Sequence, residues 1–199
     1  MPSFRDGPKD QTRNLEIPGS RFARPGMTSE EYDARIGSGL DGLGMTTVFS
    51  MSTPFHLRPY RPEDEDAAIA LWLETWKKAY PSIDFAARVP WWRERWRSEL
   101  LPKASIIVAE AAGALAGFVT IDASGYLDQL VVSPDRWGSD IATRLLDETK
   151  RLSPDRITLL VNQDNARAIG FYRRNGFVDA GEDVNPTSGR PVLRMEWKG

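Results

Sequence analysis

The chain has 199 residues, with 26 Lys and Arg against 28 Asp and Glu, one histidine and no cysteine. Such a length suits one compact domain with a tail, and the balanced, interspersed charge gives no electrostatic case for nucleic acid as a partner. The lack of cysteine excludes disulfides, thiolate nucleophiles and Cys-ligated zinc; the lone His56, read as a strand-end surface residue, excludes a multi-histidine metal site and any Ser-His-Asp triad that does not use it.

No apolar run approaches the ~20 residues needed to cross a membrane, and the N-terminus lacks the basic-then-apolar layout of a secretory signal, so a soluble, cytoplasmic protein is expected. Residues 1–50 are rich in Gly, Pro, Ser and charge and show no clear period. A segment of that composition buries too little surface to offset its ordering entropy. We read it as a disordered leader, with one or two helical turns capped by Ser29 as its only candidate structure, and place the folded domain at 51–199. Met45 and Met51 are both candidate starts.

From Phe55 the pattern turns regular. A short strand is expected over 55–60. Asp64 and Glu65 lead into a helix with Ile69, Trp72, Leu73, Trp76 and Tyr80 on one face, at spacings of three and four, stopped by Pro81. A second helix is expected over 84–100, carrying Trp91, Trp92 and Trp96 and ended by Pro102. Strands over 104–111 and 114–121 flank an Ala112-Gly113 turn and make a hairpin. After a turn at Ser124-Gly125 come a strand over 126–132, a helix over 137–152 with Ile141, Leu145, Leu146 and Leu152 inward, and a strand over 156–161. A short helix over 165–175 and two closing strands, 177–180 and 191–197, complete the order β-α-α-β-β-β-α-β-α-β-β. The strand-helix-strand unit from Tyr126 to Val161 implies a parallel pair. The expected fold is therefore α/β, a mixed, largely antiparallel twisted sheet with a central βαβ unit flanked by helices.

Two segments carry chemistry. In the first, Leu130 to Leu146, a buried strand ends in a turn and a helix opens. The first amides of a helix lack internal partners and, with the helix dipole, attract an anion such as a pyrophosphate. Small residues, here Gly138, Ser139 and Ala142, let a ligand approach the backbone. The same layout also serves many strand-helix units that bind nothing. In the second, Val161 to Phe177, a strand ends in Asn162, Asn165 can cap the next helix, Tyr172 lies two turns along and near the same face, and Gly176 fits the C-terminal turn. A capped helix with a packed tyrosine is the purely structural alternative.

Together these segments resemble the GNAT superfamily of acyl-CoA N-acyltransferases, over roughly residues 55 to 199. The stretch Val161 to Phe177 is close to that family's Asn, Asn-Ala, Phe-Tyr, Gly-Phe pattern. The family's pyrophosphate loop falls on Trp137, Asp140 and Ala142, where the usual residues are Gln or Arg, Gly, and Gly or Ala. Asp140 departs from the pattern. Its carboxylate either repels a bound phosphate or points outward and favours the helix N-terminus. The resemblance implies acetyl-CoA as co-substrate, no metal, and a primary amine as acceptor. It implies that the backbone of Leu130, Val131 and Val132 pairs with the pantetheine arm. The backbone around Trp137, from Gly138 through Ser139, Asp140 and Ile141 to Ala142, would hold the pyrophosphate, and Asn165 would bond the arm. Tyr172 would protonate the departing thiolate.

The base is open. Asp128 shares strand parity with Leu130 and Val132 and is one candidate; Glu110 is another. Asp128 is also readable as an ordinary polar contact, and the resemblance does not imply a single dedicated base. Trp72, Trp76, Trp91, Trp92 and Trp96 lie where the family builds its acceptor pocket and can stack on a substrate or cage a cation, although helical aromatic stripes commonly form core. The expected acceptor is a small-molecule amine; a protein or peptide amine and a non-catalytic acyl-CoA binder are the alternatives. A monomer or homodimer is expected, with no nucleic-acid or membrane partner.

Overall fold

The computed structural model describes residues 54–185 and 189–199; the expected leader over 1–50 lies outside them. The elements are β1 (Phe55–Pro59), α1 (Glu65–Ala79), α2 (Val89–Arg95), β2 (Ala104–Ala111), β3 (Ala114–Asp122), β4 (Leu127–Val132), α3 (Ile141–Leu152), β5 (Arg156–Asn162), α4 (Ala166–Arg174), β6 (Val178–Val184) and β7 (Pro191–Lys198). The mixed α/β class is as expected.

Helix α1 buries Ile69, Trp72 and Trp76, three and four residues apart, so one stripe meets the sheet. The second helix is shorter and less regular than its sequence suggests. A 3-10 turn (Ala86–Arg88) precedes α2, and a π-helical turn (Trp96–Leu100) and a last short turn (Leu101–Lys103) follow it. Pro102 explains the irregularity: it has no N–H for the carbonyl four residues back, and its ring crowds that carbonyl. The chain widens instead, and the Leu101 N–H donates to the Trp96 carbonyl. Between β2 and β3, Ala112 and Gly113 both take positive φ, 52° and 77°, the handedness that matches strand twist in a two-residue hairpin.

Strands β1-β2-β3-β4 form one antiparallel sheet and β5-β7-β6 another. The expected parallel pairing of β4 with β5 shrinks to one bridge, Tyr126 with Thr158, where the Thr158 N–H donates to the Gly125 carbonyl at 2.9 Å. Just beyond it, β4 carries a bulge: Thr120 pairs with Gln129 and Ile121 with Leu127, leaving Asp128 as the extra residue. A bulge bends its strand and increases local twist, and beyond the bridge β4 and β5 are unpaired, which leaves a gap between the two sheets. Past the bridge, β4 has β3 on one edge and, among the described residues, no strand on the other.

Two cores hold this frame. Helices α3 and α4 pack on one side of the sheets around Leu130, Val132, Leu145 and Tyr172. On the other side, α1 and α2 pack around Trp72, Trp76, Trp92, Trp96 and Val131. Trp72 stacks on Trp92 with ring centroids 4.7 Å apart. Four of the five tryptophans offered above as pocket residues are therefore core, and only Trp91 stays partly exposed.

The entry to α1 is tied to β1 by Arg58, which donates to Asp64 at 2.7 and 2.8 Å and to Glu110 at 2.7 Å. Glu110, a candidate base above, is thus committed to this pair. Asp64 also accepts from the Arg61 N–H at 2.8 Å. The Arg58 bonds hold the Asp64 carboxyl below its ordinary value. Asp64→Asn should cost about 1.5–3 kcal/mol, the scale of a bond to a charged group. A carboxyl lowered on folding stabilises fully above its unfolded pKa, and that contribution fades as pH falls through the folded value. Thermal midpoints of both proteins should differ by several degrees at pH 7 and converge in acid; a difference that persists at low pH would contradict the ion-pair account.

Candidate active site

The turn after β4 decides where α3 begins. The helix expected from residue 137 starts at Ile141, because Gly138 takes φ 86° and breaks helical geometry. A 3-10 turn (Pro134–Arg136) leads in, and the Arg144 N–H to Asp140 carbonyl bond, 2.9 Å, closes the first turn. Ser139 Oγ accepts weakly from the Ile141 N–H at 3.4 Å. The amides of Ala142 and Thr143 precede any carbonyl of their own helix that could accept from them, so the end of α3 beside β4 is a donor surface.

Trp137 lies outside the helix. Its indole N–H donates to the Val132 carbonyl at 2.9 Å, and the Arg167 guanidinium sits 5.1 Å from its ring centroid. Thr75 Oγ from α1 reaches the same carbonyl at 3.3 Å. The side chains of Leu130, Val131 and Val132 are all buried, and alternate residues of the strand turn their N–H and C=O to β3 or to the gap.

Asp140 is exposed and has αR dihedrals, φ −80° and ψ −1°, so the backbone does not require glycine there. Its side chain lines a groove with His56, Leu57 and Arg144, between β1 and α3. β1 is the strand farthest from β4 in its sheet, which puts the carboxylate on the side of α3 remote from the gap. Asp140→Gly should therefore change acetyl-CoA affinity by less than about twofold and lower stability by up to about 1 kcal/mol, Gly being the poorer residue here. Calorimetric titration at two salt concentrations checks this. Several-fold tighter binding at low salt would mean the carboxylate does oppose the phosphates.

Helix α4 is fixed at both ends. Asn165 Oδ1 accepts from the Ala168 N–H at 3.0 Å, an N-cap. At the other end Phe177 N–H donates to the Tyr172 carbonyl (3.0 Å) and Gly176 N–H to the Arg173 carbonyl (3.1 Å). This paired pattern is a Schellman motif, with Gly176 at φ 87° in the left-handed position. Its hydrophobic contact is the Tyr172–Phe177 ring pair, centroids 5.3 Å apart. The local signals Asn165, Gly176 and Phe177 thus orient Tyr172. Its hydroxyl is buried, with no hydrogen-bond partner among the described residues. Burial pushes the phenol well above its ordinary value, with a further contribution from Tyr126.

The parity argument for Asp128 fails. The bulge takes Asp128 out of the alternation, and its carboxylate pairs with Arg95 of α2, Oδ2 to Nη2 at 2.8 Å. Both side chains are 7% exposed. Arg95 also bonds Glu99 at 3.2 Å and lies over the Trp92 ring at 5.2 Å. Asp128 Oδ1 is buried and has no hydrogen-bond partner among the described residues. Sequence reasoning missed Arg95, whose partner lies a strand away and leaves no local signal. It also missed the link between α1 and the end of β5, where Asn162 Nδ2 donates to Tyr80 Oη at 3.0 Å. A concavity of about 640 Å³ lies along β1, β2 and the end of α3, and no residue of β4 lines it.

Residues 84–198 match the family model described as an acetyltransferase (GNAT) domain. The peptidyl-lysine N-acetyltransferase YjaB of Salmonella typhimurium is 28% identical over 137 residues, covering 68% of this chain and 92% of that protein. A mycothiol acetyltransferase of Kineococcus radiotolerans is 30% identical over 177 residues, covering 84% of this chain but 57% of the enzyme, so the chain spans little more than half its length. In fold, the PaiA N-acetyltransferase of Thermoplasma acidophilum, solved in complex with coenzyme A, superposes with a TM-score of 0.60 at 24% identity, over 73% of this chain and 99% of that one.

Proposed function

The chain belongs to the GNAT acetyltransferase family and is an acyltransferase that uses acetyl-CoA; on that premise we propose that it acetylates a primary amine of a small molecule by direct attack, with Tyr172 as general acid. The observation that carries the reading is the Tyr172 hydroxyl, buried without a partner in the same core as Leu130 and Val132. Burial keeps the phenol in its protonated form, so it carries the proton that a leaving sulfur needs.

The residues present suit the co-substrate. The amides from Gly138 to Ala142, across the turn and the start of α3, would hold its pyrophosphate, the backbone of β4 at Leu130, Val131 and Val132 its pantetheine arm, and the Asn165 side chain would bond that arm. Pairing at Val132 would require Trp137 to release the carbonyl it now holds. Acetyl-CoA supplies a thioester carbonyl and a leaving sulfur. The neutral amine nitrogen bonds to the acetyl carbon as the carbon–sulfur bond breaks. Tyr172 gives its phenolic proton to the sulfur, and the proton released by nitrogen restores it. Holding amine and carbonyl in line supplies much of the rate.

No helix among the described residues is long and apolar enough to cross a membrane, and we read the setting as cytoplasmic. A peptidyl lysine is the second acceptor reading, favoured by the likeness to YjaB. Titrating acetyl-CoA and following thiol release with small amines and with lysine peptides tests both. Acetyl-CoA binding without thiol release for any amine would favour a non-catalytic binder, and absence of binding would defeat the proposal.

A further inference from the structure

The Ser133 N–H donates to the Ala116 carbonyl of β3 at 2.9 Å. Main-chain groups of successive residues on a strand point to opposite edges, so the Val132 carbonyl turns the other way, into the gap beside β4. A carbonyl oxygen has two lone pairs, and both are engaged here. The Trp137 indole N–H donates at 2.9 Å and Thr75 Oγ1 at 3.3 Å. The two donors differ in freedom. Thr75 is 1% exposed, within α1. Trp137 is half-buried and lies outside every helix and strand. It is extended, φ −63° and ψ 133°, at the end of the 3-10 turn. Gly138 follows at φ 86°, and glycine is the residue that exchanges one sign of φ for the other at least steric cost. The indole also packs against the core that holds Leu130, Val132 and Tyr172. Arg167, 5.1 Å from its ring centroid, pins it from the first turn of α4. The side chain therefore reaches from the last residue of β4 to α4, across the place where an arm would leave the strand for the α3 amides.

We propose that Trp137 is a latch on this gap: its indole N–H holds the Val132 carbonyl that an amide N–H of the pantetheine arm would take, and acetyl-CoA enters as the indole swings out about Gly138. The proposal rests on the acetyl-transfer reading and adds what controls entry to its site. The latch competes with the ligand for one acceptor. An arm N–H that replaces the indole N–H exchanges one bond for another, so that bond adds nothing net to affinity. A protein that binds only with the latch open also loses affinity in proportion to the fraction that is open. Of the two donors, Trp137 is the one that yields, because Thr75 is enclosed by the fold while the indole hangs from an irregular turn with a glycine beside it.

The test is Trp137→Phe, with binding rates and affinities read by surface plasmon resonance in the absence of any amine. Phenylalanine keeps a ring beside Arg167 and lacks the N–H, while Thr75 still serves the carbonyl. Acetyl-CoA should bind about threefold to tenfold more tightly, the worth of one net hydrogen bond. The gain should lie in the association rate, since the open, ligand-bound form is the same in both proteins and only the closed latch is weakened. ADP carries a pyrophosphate and no arm, so its affinity should be the same in both. Tryptophan emission should shift when acetyl-CoA is added to the wild type and stay in place in Trp137→Phe. Equal or weaker acetyl-CoA binding by Trp137→Phe would overturn the latch, the weaker result making the indole a contact of the bound cofactor. An equal gain for ADP would overturn it too, by placing the effect at the phosphates. Failure of both proteins to bind acetyl-CoA would instead remove the reading beneath it.

Discussion

Tyr172→Phe is expected to lower kcat by about 10²-fold, within the usual range for a general acid, to leave acetyl-CoA binding nearly intact, and to hold or raise the thermal midpoint. The last clause separates chemistry from packing. In the resting fold the Tyr172 hydroxyl is buried without a partner, a state that costs about 1–3 kcal/mol relative to a satisfied group. Phenylalanine keeps the ring contacts with Phe171 and Phe177 and removes the unsatisfied oxygen. A residue retained for packing would therefore gain from the change. A loss of rate paired with unchanged or higher stability is the signature of a group kept for its proton. The raised phenol pKa adds a check. Tyr172 stays protonated through neutral and mildly alkaline pH, so the rise of kcat with pH should reflect deprotonation of the amine, and Tyr172→Phe should lower the profile without moving its acid limb. An unchanged kcat would make Tyr172 a core residue only.

Much of this frame was legible because its signals are local. The stripe of Ile69, Trp72 and Trp76 is a helix whatever it packs on. The Asn165 cap and the Gly176 turn bracket α4 within a dozen residues and so fix Tyr172. The errors arose where the cause is distant or conformational. Gly138 was read as a small helical residue admitting a ligand; its left-handed φ instead delays α3 to Ile141. The bulge at Asp128 exists only relative to the register of β3, which alternation along β4 cannot reveal, and a single extra residue reverses which face a side chain takes. Arg95 reads as one of several charges on an irregular helix until the fold sets Asp128 beside it. The division into two sheets is of the same kind. A strand-helix-strand unit implies a parallel pair, and only the bulge and the single bridge limit that pair to one contact.

That bridge makes Gly125 the position where the smallest change should do the most damage to the fold. Asp122 shapes the turn, its Oδ1 accepting from the Ser124 N–H at 2.8 Å and the Tyr126 N–H at 3.0 Å, and Gly125 completes it at φ 80°. A Cβ there would lie 2.4 Å from the Arg156 carbonyl oxygen and 2.9 Å from Ser153 Oγ. The Gly125 carbonyl meanwhile holds the Thr158 N–H, so the residue can move from neither neighbour without opening the joint between the sheets. Gly125→Ala combines a positive-φ penalty of roughly 1 kcal/mol with overpacking of about 1–3 kcal/mol. For a domain of this size each kcal/mol moves the midpoint by about 2–4 °C, so a fall of roughly 5–15 °C is expected. Gly113→Ala is the control. It too has positive φ, 77°, but its Cβ would meet nothing within 4 Å, and it should lose only the first contribution. The two variants should also part in function. A displaced β5 start widens the gap at the Asp128 end, and Gly125→Ala should weaken acetyl-CoA binding even at temperatures where it remains folded, whereas Gly113→Ala, at the far end of the β2–β3 hairpin, should bind as wild type. Equal midpoints for the two variants would show that the backbone at the joint yields to a methyl group, and that one bridge does not govern how the sheets are set.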